Sequence, residues 1–528
     1  MATFHGDGLT KATLLLLIAL LEKLEYVHGA RILLASPQLS SHVMMQTPTG
    51  EELVQRGHEV YIAIGSRYPK PESLEQLGLR TIKYHIPSDI QYELSDDTAK
   101  LLSERIFSAN FDWWKSAKNT SARVSRDCEL MLSDGKFLEQ VRAVKFDIAL
   151  VEPFVINPCV VLLPYNLNIS FVSLTNFYIP WTIRLPALPS FFPMPGPVAT
   201  SSEPTLWNSV INTVITLSSH WKVTSTFWND TLLEHYSPRS LTWNELILKS
   251  ELFFTNNDHH IGYLFPLFPN VIPVPCITVR PIKPLPDELE TLMTQSLDGI
   301  ILVAFGSLAS YFPEQVIVKF FAAFSQLKQT VIARLSRTEG VTVPKNVHVF
   351  RWLPQNDILS HPQTRLFITH CGSNSQHEAL YHGVPMLGFP LFAEQPTNCE
   401  RAYAKGFGLR MDIHHFTSAD LFDNIQEMLN NRTYRDIVKH GSATLRDEPL
   451  LGPKKAAHWI EHVIKYGSAH MRSPAIDLPL YRFIMLDVLA TFSVIALVVA
   501  AVIYVSIAAI SRAMWRKMMN SPSQKKMQ

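Results

Sequence analysis

The feature that most constrains this chain lies near its carboxyl end, where residues 488–510 are predominantly apolar and carry no charge. A helix of this length can cross the ~30 Å hydrocarbon core of a bilayer. Basic residues follow it closely, namely Arg512, Arg516 and Lys517. Only Arg482 stands close on the other side. The positive-inside rule therefore predicts a single-pass protein with its tail, residues 511–528, in the cytosol and its large body in the lumen.

Both ends of the chain carry further targeting patterns. Residues 12–21 form a short apolar run behind Lys11, which suits a signal peptide at residues 1–29, with a buried helix as the alternative. Lys525 and Lys526 stand at the dilysine positions of an endoplasmic-reticulum retrieval signal, although a basic tail can also be merely solvated. Sequons compatible with a lumenal body occur at Asn119, Asn168, Asn229 and Asn431. We therefore expect a type I protein of the endoplasmic reticulum membrane.

Composition excludes several classes of protein. The chain has 528 residues, of which 47% are hydrophobic and 18% charged, a balance typical of globular domains. Its formal net charge of +1 gives no reason to expect nucleic-acid binding. The five cysteines include no CxxC pair, which argues against a zinc ribbon or a redox motif. They are compatible with one disulfide and too few for a disulfide framework.

The body of the chain has the pattern of two α/β halves. In the first half, runs suited to buried strands alternate with helical segments, at residues 30–35, 60–64, 146–151 and 169–174. The proline-dense residues 265–286 are predicted to be the linker. A second half starts at residues 299–308 and continues with the strands TVIARL, HVFRWL and RLFITH. Residues 177–243 are assigned only as irregular helices and loops.

The stretch at residues 365–386 ends a predicted strand with a histidine, a glycine and small polar residues, and then takes helical spacing. The carboxyl end of a parallel strand that leads into a helix is a common ligand site, because the helix start presents free N–H groups and a partial positive charge. Phosphate is its natural ligand. The alternative is a simple capping box, formed by Ser373 with Gln376 or by Ser375 with Glu378.

A family resemblance extends this interpretation. Residues 350–408, FRWLPQNDILSHPQTRLFITHCGSNSQHEALYHGVPMLGFPLFAEQPTNCERAYAKGFG, closely resemble the donor-binding signature of UDP-glycosyltransferases, specifically the membrane-anchored animal UDP-glucuronosyltransferases. The resemblance covers nearly the whole chain and is weaker at residues 68–145 and 178–249. It implies the α/β glycosyltransferase-B fold, in which two Rossmann-like domains face a cleft. The acceptor-binding domain is then expected at residues 30–280 and the UDP-sugar-binding domain at residues 281–475.

The resemblance also implies which residues bind the nucleotide. Trp352 would stack on the uracil and Gln355 would meet its edge. The alternative for Trp352 is that it only fills the hydrophobic core. Glu378 would accept both ribose hydroxyls. Ser307, which follows another strand, would add a phosphate contact.

The diphosphate and the sugar are assigned in the same way. His370 would contact the diphosphate, which the helix-start amides would surround, at Gly372, Ser373, Asn374 and Ser375. Glu394 and Gln395 resemble the acidic-Gln pair that holds the sugar hydroxyls, although many relatives have Asp at the first position. Cys371 stands where many relatives have Gly, which makes that turn less permissive.

Catalysis is assigned to the first half. His42, in the loop after the first strand, matches the catalytic histidine of the family, and an oriented imidazole can take a proton at neutral pH. Without the resemblance, His42 would be interpreted as a surface residue. Its partner departs from the family pattern, because Glu152 stands where an aspartate is usual. Asp147 is the fallback partner, and loss of the catalytic pair is the remaining alternative.

The expected reaction is a direct, inverting displacement of UDP by an acceptor hydroxyl, with the UDP-sugar as co-substrate and no cofactor. No metal is expected, and the histidine pairs at residues 259–260 and 414–415 are interpreted as surface. The predicted partners are a UDP-sugar, most simply UDP-glucuronic acid, and a small lipophilic acceptor, as in detoxification or hormone conjugation. A UDP-glucosyltransferase acting on lipids or steroids, and a non-catalytic membrane-bound ligand-binding protein, are the alternatives. The oligomeric state stays open.

Overall fold

The computed structural model of the chain describes residues 29–88, 103, 105–107, 111–176, 178–186, 188, 205–238, 241–262, 264, 266–306, 311–336, 338 and 340–520. The predicted signal peptide, except its last residue, lies outside the described residues. So do Ser307 and the dilysine pair Lys525 and Lys526.

The first sheet is fully parallel and, among the described residues, has the order β3-β2-β1-β4-β5-β6-β7. Its central strands are apolar without alternation, because helices cover both faces of a parallel sheet. Leu33 of β1, for example, is fully buried and pairs with Tyr61 on one side and Ala149 on the other. The strands are β1 Arg31–Ala35, β2 Glu59–Gly65, β3 Arg80–Tyr84, β4 Ile148–Val151, β5 Phe171–Thr175, β6 Phe253–Thr255 and β7 Val271–Pro273.

The second sheet is also parallel, with the order β10-β9-β8-β11-β12-β13 in the part of the chain that is described. Its strands are β8 Ile300–Ala304, β9 Thr330–Arg334, β10 Val347–Phe350, β11 Thr364–Thr369, β12 Met386–Gly388 and β13 Gly408–Arg410. Leu366, Phe367 and Ile368 of β11 are fully buried. The predicted architecture of two α/β halves with parallel sheets is confirmed.

Helices connect the strands of both sheets. Those of the first half are α1 Ser40–Gln55, α2 Glu72–Glu75, α3 Trp113–Ser133, α4 Gly135–Val144, α5 Leu162–Asn166, α6 Leu206–Thr226, α7 Asp230–Tyr236 and α8 Trp243–Ile247, with 3₁₀ turns at Cys159–Val161 and Pro180–Ile183. Those that follow are α9 Asp287–Gln295, α10 Glu314–Phe324, α11 Gln355–Ser360, α12 Ser373–His382, α13 Gln395–Ala404, α14 Ser418–Asn430, α15 Arg432–Arg446 and α16 Gly452–Tyr466, with a 3₁₀ turn at Ala469–Met471.

Local assignments from the sequence were wrong at several points. Helix α1 begins at Ser40, so His42 lies in its first turn and not in a loop, and the helix continues through Pro48. The predicted linker contains strand β7, and the segment expected to be irregular contains the long helix α6. Proline is unfavourable inside a helix, but packing of α1 against the sheet, through Val43, Met45 and Leu53, overrides that propensity.

The cysteines also depart from the expectation of one disulfide. The structure pairs Cys128 with Cys159 in the first half and Cys371 with Cys399 in the second. Among the described cysteines, Cys276 is unpaired and buried.

Helix α16 follows the second sheet in sequence but contributes to the hydrophobic core of the first. Ala456, Ala457 and Ile460 are fully buried in the same apolar cluster as β1 and β2. On the adjoining surface Arg56 of the α1 carboxyl terminus bonds Glu461 of α16 at 2.8 Å. The domain bounds at residues 280 and 281 stay a prediction.

The chain from Ser473 onward forms a separate compact unit. It contains a 3₁₀ turn at Pro474–Asp477 and helices α17 Leu480–Phe483 and α18 Leu486–Met519. Helix α18 has 34 residues and a stretch with a mean hydropathy of 2.7, so it is long and apolar enough to cross a membrane. The predicted span at residues 488–510 lies within it.

Candidate active site

The two sheets place their site residues at the same point of their topology. β1 and β4 are neighbours in the first sheet, β8 and β11 are neighbours in the second, and the strand order reverses at each pair. Ligands of open parallel sheets bind at the carboxyl ends of the strands beside such a reversal. A cleft of about 370 Å³ is lined there by residues of both halves, including His42, Glu152, His370, Glu394 and Gln395.

His42 and Glu152 form a hydrogen-bonded pair in the first half. Nδ1 of His42 lies 2.6 Å from Oε1 of Glu152, which directly follows β4 and is 1% exposed. Because a carboxylate only accepts, Nδ1–H is the donor, and Nε2 is then the basic ring nitrogen. Phe154 packs edge-on against the ring with a centroid distance of 4.7 Å. The longer glutamate therefore reaches the imidazole that the usual aspartate would orient.

The alternative prediction, that Asp147 is the partner of His42, is wrong. Asp147 lies at the opposite end of β4, where its carboxylate accepts a hydrogen bond from the Arg31 amide at 2.7 Å. The second oxygen of Glu152, Oε2, is buried and has no hydrogen-bond partner among the described residues.

His370 occupies the equivalent point of the second half under different conditions. A Cβ on Gly306 would lie 2.7 Å from its Nε2 and a Cβ on Gly372 would lie 2.5 Å from it, so both glycines make room for the ring. Burial, with a contribution from Arg334, lowers the pKa of His370 to about 4. The imidazole is therefore neutral at physiological pH, and it can act on a diphosphate as a hydrogen-bond donor but not as a cation.

Helix α12 starts without a side-chain cap. Its N-cap is Gly372 and no side chain accepts from its first turn, so the capping alternative is wrong. The first-turn amides of Ser373, Asn374 and Ser375, which lack intrahelical partners as in any α-helix, line the cleft. Cys371, before the helix, has φ +64, in the left-handed region where the family resemblance expects glycine. This arrangement can bind an anion at the helix start.

A second cavity of about 330 Å³ holds the nucleotide-binding candidates. Trp352 is 60% exposed there, so it is not core filler, and the guanidinium of Arg334 lies 4.6 Å from its ring centroid. The Gln355 amide donates to Glu378 at 2.7 Å, and the Thr278 hydroxyl donates to its other oxygen at 3.1 Å. Burial raises the pKa of Glu378 to about 7. Its carboxylate thus lies inside the cavity, as a ribose contact requires, and it caps nothing.

The pair expected at the sugar lies at the start of α13. The side-chain oxygen of Gln395 accepts from the amides of Leu391 and Phe392 at 2.9 and 3.1 Å, which leaves its NH₂ group as the donor for a ligand. Glu394 borders the same cleft, and burial raises the pKa of its carboxyl group. The structure therefore brings the described candidates into two adjoining cavities. Their roles stay predictions.

Several site residues were missed from the sequence. Arg105 and Arg123 line the cleft and were not among the residues predicted from the sequence. Asn256 donates to Asn374 at 2.9 Å and to Ser373 at 3.3 Å, and so supports the start of α12 from the first half. The polar stretch NND directly after β6 was the available signal for Asn256, because it stands at a strand's carboxyl end. The arginines lie in the weakly matched region and gave no signal.

Aromatic residues of the weakly matched segment 178–249, as far as they are described, do not line the cleft. Trp207 and Trp221 are 71% and 70% exposed on α6, Trp181 and Trp228 are buried, and Phe191 and Phe192 lie outside the described residues. Aromatic side chains that line the cleft are instead Phe111, Trp113, Phe154 and Phe392.

Comparison with known proteins agrees with this geometry. The chain belongs to the UDP-glucoronosyl and UDP-glucosyl transferase family, which matches residues 30–525. It is 31% identical over 461 residues to UDP-glucuronosyltransferase 2C1 of Oryctolagus cuniculus, covering 83% of this chain and 90% of that protein. It is 30% identical over 485 residues to UDP-glucuronosyltransferase 2B7 of Homo sapiens, covering 88% and 90%. The chain is thus an enzyme of the UDP-glycosyltransferase class.

Solved glycosyltransferases share the fold. The glycosyltransferase SnogD from Streptomyces nogalater has a TM-score of 0.55 at 17% identity, covering 83% of this chain and 100% of that one. A UDP-glucosyltransferase from Polygonum tinctorium has a TM-score of 0.55 at 15% identity, covering 83% and 99%. The predicted glycosyltransferase-B fold is confirmed.

Proposed function

We propose that the enzyme transfers glucuronic acid from UDP-glucuronic acid to a hydroxyl group of a small lipophilic acceptor, with inversion at the anomeric carbon. The observation that carries this proposal is the His42–Glu152 pair, which lines the same cleft as the open start of α12. A base and an anion site that line one cleft suit a displacement in which an acceptor oxygen attacks and a diphosphate leaves.

In the proposed reaction, Nε2 of His42 takes the proton of the acceptor hydroxyl while the oxygen forms its bond to the anomeric carbon. The bond from that carbon to the UDP oxygen breaks on the opposite face, and the electron pair leaves with UDP. Glu152 stabilises the imidazolium through its hydrogen bond to Nδ1–H. His370 and the first-turn amides of α12 donate hydrogen bonds to the diphosphate as its charge develops.

The contact between Glu152 and His42 supports catalysis over the alternative of a non-catalytic protein. The Glu152 side chain makes the contact that an aspartate would make, and the histidine it orients lines the cleft. The aromatic lining at Phe111, Trp113, Phe154 and Phe392 suits an apolar acceptor that presents one hydroxyl.

The identity of the transferred sugar is proposed from the charged side chains that border the cleft. Arg105 and Arg123 border the cleft, and a guanidinium is the preferred partner of a carboxylate such as that of glucuronic acid. UDP-glucose is the second candidate, because Glu394 and Gln395 offer an acceptor and a donor for hydroxyls that both sugars carry.

We also propose the membrane setting, a type I protein of the endoplasmic reticulum with its catalytic body in the lumen. The support is the apolar helix α18, the basic residues at its carboxyl end, Arg516 and Lys517, and the lysines near the chain end.

The test uses membranes that contain the full chain, supplied in parallel with UDP-glucuronic acid and UDP-glucose and a panel of phenols and steroids. We expect conjugates with UDP-glucuronic acid, and none above background in His42→Ala. Arg123→Gln should raise KM for UDP-glucuronic acid about tenfold and leave any turnover of UDP-glucose unchanged. Arg126→Gln, on the same helix and exposed, is the matched control.

Preferential turnover of UDP-glucose would overturn the sugar assignment and leave the enzyme class intact. An equal rise in KM for UDP-glucuronic acid in Arg123→Gln and Arg126→Gln would show that Arg123 makes no specific contact with the sugar carboxylate. Activity that persists in His42→Ala would overturn the assignment of the base.

A further inference from the structure

A cluster of histidine and carboxylate side chains lies outside the cleft, in the loop after β6. Nε2 of His260 lies 4.0 Å from Oδ2 of Asp258 and 3.5 Å from Oε1 of Glu448, a residue that follows α15. Nε2 of His259 lies 3.6 Å from the same Glu448 oxygen. The interpretation of this histidine pair as surface is wrong for His260, because its side chain is 8% exposed.

Two atoms of this cluster are buried and unsatisfied. Oδ2 of Asp258 and Nε2 of His260 have no hydrogen-bond partner among the described residues, and the Asp258 side chain is 1% exposed. At 4.0 Å they are too far apart to bond each other. A buried polar atom without a partner costs free energy, and a ligand shared by both atoms would offset that cost at each of them.

The separations fit a tetrahedral metal ion. With metal–nitrogen and metal–oxygen bonds of about 2.0–2.2 Å, tetrahedral ligand atoms lie about 3.3–3.6 Å apart. The separations of 3.5, 3.6 and 4.0 Å lie close to this range, and Asp258, His259 and His260 can each place a ligand atom within 4.8 Å of the others. Two imidazoles with two carboxylates suit zinc and similar transition metals, whereas calcium and magnesium prefer oxygen alone.

We propose that Asp258, His259, His260 and Glu448 form a binding site for a divalent cation of the zinc class. This goes beyond glycosyl transfer and departs from the expectation that the chain holds no metal.

The surroundings hold the ligands in place. The other oxygen of Asp258, Oδ1, accepts from the Ile261 amide at 3.2 Å and lies 3.5 Å from Nε2 of His377. Lys455 lies 3.9 Å from the second oxygen of Glu448. One oxygen of Asp258 is thus held by a backbone amide and one oxygen of Glu448 lies near an ammonium group, while the other oxygen of each carboxylate lies near the histidines.

The site has a structural connection to the donor helix. Nδ1 of His377 donates to the carbonyl of Ser373 at 2.9 Å, in the first turn of α12. Asn256, two residues before Asp258, donates to Asn374. A bound cation would therefore stabilise the segment that supports α12, and it takes no part in the transfer step.

The experiment uses the purified full-length protein in detergent micelles, stripped with a chelator, dialysed against ZnCl₂ and then freed of excess zinc. Zinc is measured per chain by mass spectrometry, and unfolding is followed by heating with and without zinc. His260→Ala and the nearly isosteric Glu448→Gln remove one ligand each. His415→Ala is the matched control, since Asp412, His414 and His415 repeat the same residue types in an exposed loop.

We expect the unsubstituted protein to bind about one more zinc ion per chain than His260→Ala. The affinity for zinc should be weaker by about a hundredfold or more in His260→Ala and Glu448→Gln. Neither the zinc content nor the affinity should change in His415→Ala. Zinc should raise Tm in the unsubstituted protein and not in His260→Ala. The exposed pair His462 and His470 is present in every variant, so differences between variants report the proposed site alone.

Equal zinc contents in the unsubstituted protein and in Glu448→Gln would overturn the proposal, as would an equal loss in His415→Ala. Transferase activity is recorded in the same preparations. Its presence in a protein that binds no zinc would reject the metal site and leave the proposed function standing.

Discussion

The two sheets of this enzyme put a histidine at the same place and give it opposite properties. In the first sheet the residues beside the reversal of strand order are His42 and Glu152, joined by a hydrogen bond of 2.6 Å. In the second sheet they are Gly306 and His370, and a Cβ on Gly306 would lie 2.7 Å from the ring. One imidazole has a carboxylate partner, and the other lies buried between glycines with its pKa lowered to about 4.

The comparison shows that the neighbour decides the chemistry of a histidine. A carboxylate beside Nδ1 stabilises the imidazolium, so His42 can accept a proton during the reaction. Burial beside an arginine keeps His370 neutral, so it can donate a hydrogen bond without adding a charge. In the proposed reaction, the same topology thus provides a base on one side of the cleft and a neutral diphosphate contact on the other.

The largest expected effects come from substitutions of the His42–Glu152 pair in the first half. Glu152→Gln keeps the shape of the side chain and removes its charge, and we expect kcat to fall by about 10²–10³. His42→Ala should lower kcat further, by at least about 10³ and to background, since it removes the base itself. Both are measured as initial rates at saturating UDP-sugar.

Glu152→Asp serves as the conservative control, because it restores the residue that the family resemblance expects. Its kcat should stay within about tenfold of the unsubstituted enzyme. A loss as large as that of Glu152→Gln would show that length, and not charge, is what Glu152 supplies.

The position of His370 beside the second sheet is tested by Gly306→Ala. The new Cβ would displace His370, so KM for the UDP-sugar should rise by about 10–10² while the pH profile of kcat stays unchanged. Gly340→Ala is the control, because Gly340 has a comparable φ of +84 and nothing within 4 Å of its added Cβ. If Gly340→Ala raises KM equally, backbone strain and not the histidine is responsible.

Glu378 supplies a pH-dependent test of the donor side. Its pKa of about 7 lies above the ordinary 4.5, so between these values the folded state holds a proton that the unfolded chain lacks. The stability of the ligand-free enzyme should therefore fall as pH rises from 4.5 to 7. Glu378→Gln, always neutral, should be more stable at pH 8 by about 2 kcal/mol.

The same substitution should weaken donor binding at pH 8 by about tenfold, because a ribose hydroxyl loses a charged acceptor. In the unsubstituted enzyme, KM for the UDP-sugar should rise as pH falls below about 7, whereas Glu378→Gln should show no such rise. Thermal unfolding and KM are measured across pH 5–8. A pH-dependent KM that persists in the variant would assign the titration to another group.

The smallest effect concerns the open start of α12. Ser375→Ala removes a hydroxyl that accepts from Gln355 at 3.1 Å but caps no helix, so it should cost less than about 0.5 kcal/mol of stability. Thr417→Ala removes the capping box of α14 and should cost about 1 kcal/mol. Urea unfolding measures the stability of both variants. A larger cost for Ser375→Ala would mean that the Ser375 side chain caps the start of α12.

The sequence predicted those features that depend on neighbouring residues. Continuous apolar runs identified central strands such as β4 and β11, because a strand buried on both faces carries no polar alternation. The residues after β11 identified a helix start suited to phosphate. The uncharged stretch at residues 488–510 identified the apolar helix, because bilayer thickness sets a minimum length. Prolines were less informative, since Pro48 lies inside α1.

Only the tertiary structure decided what depends on residues far apart in the chain. Glu152 stands 110 positions from His42, and nothing local shows that the longer side chain reaches the ring. The pKa values of His370 and Glu378 follow from burial, which depends on how the loops of both sheets pack. Glu448 approaches His260 through the same packing. Local patterns determine strands, helices and the membrane segment, whereas distances, burial and charge at the site arise only when the chain has folded.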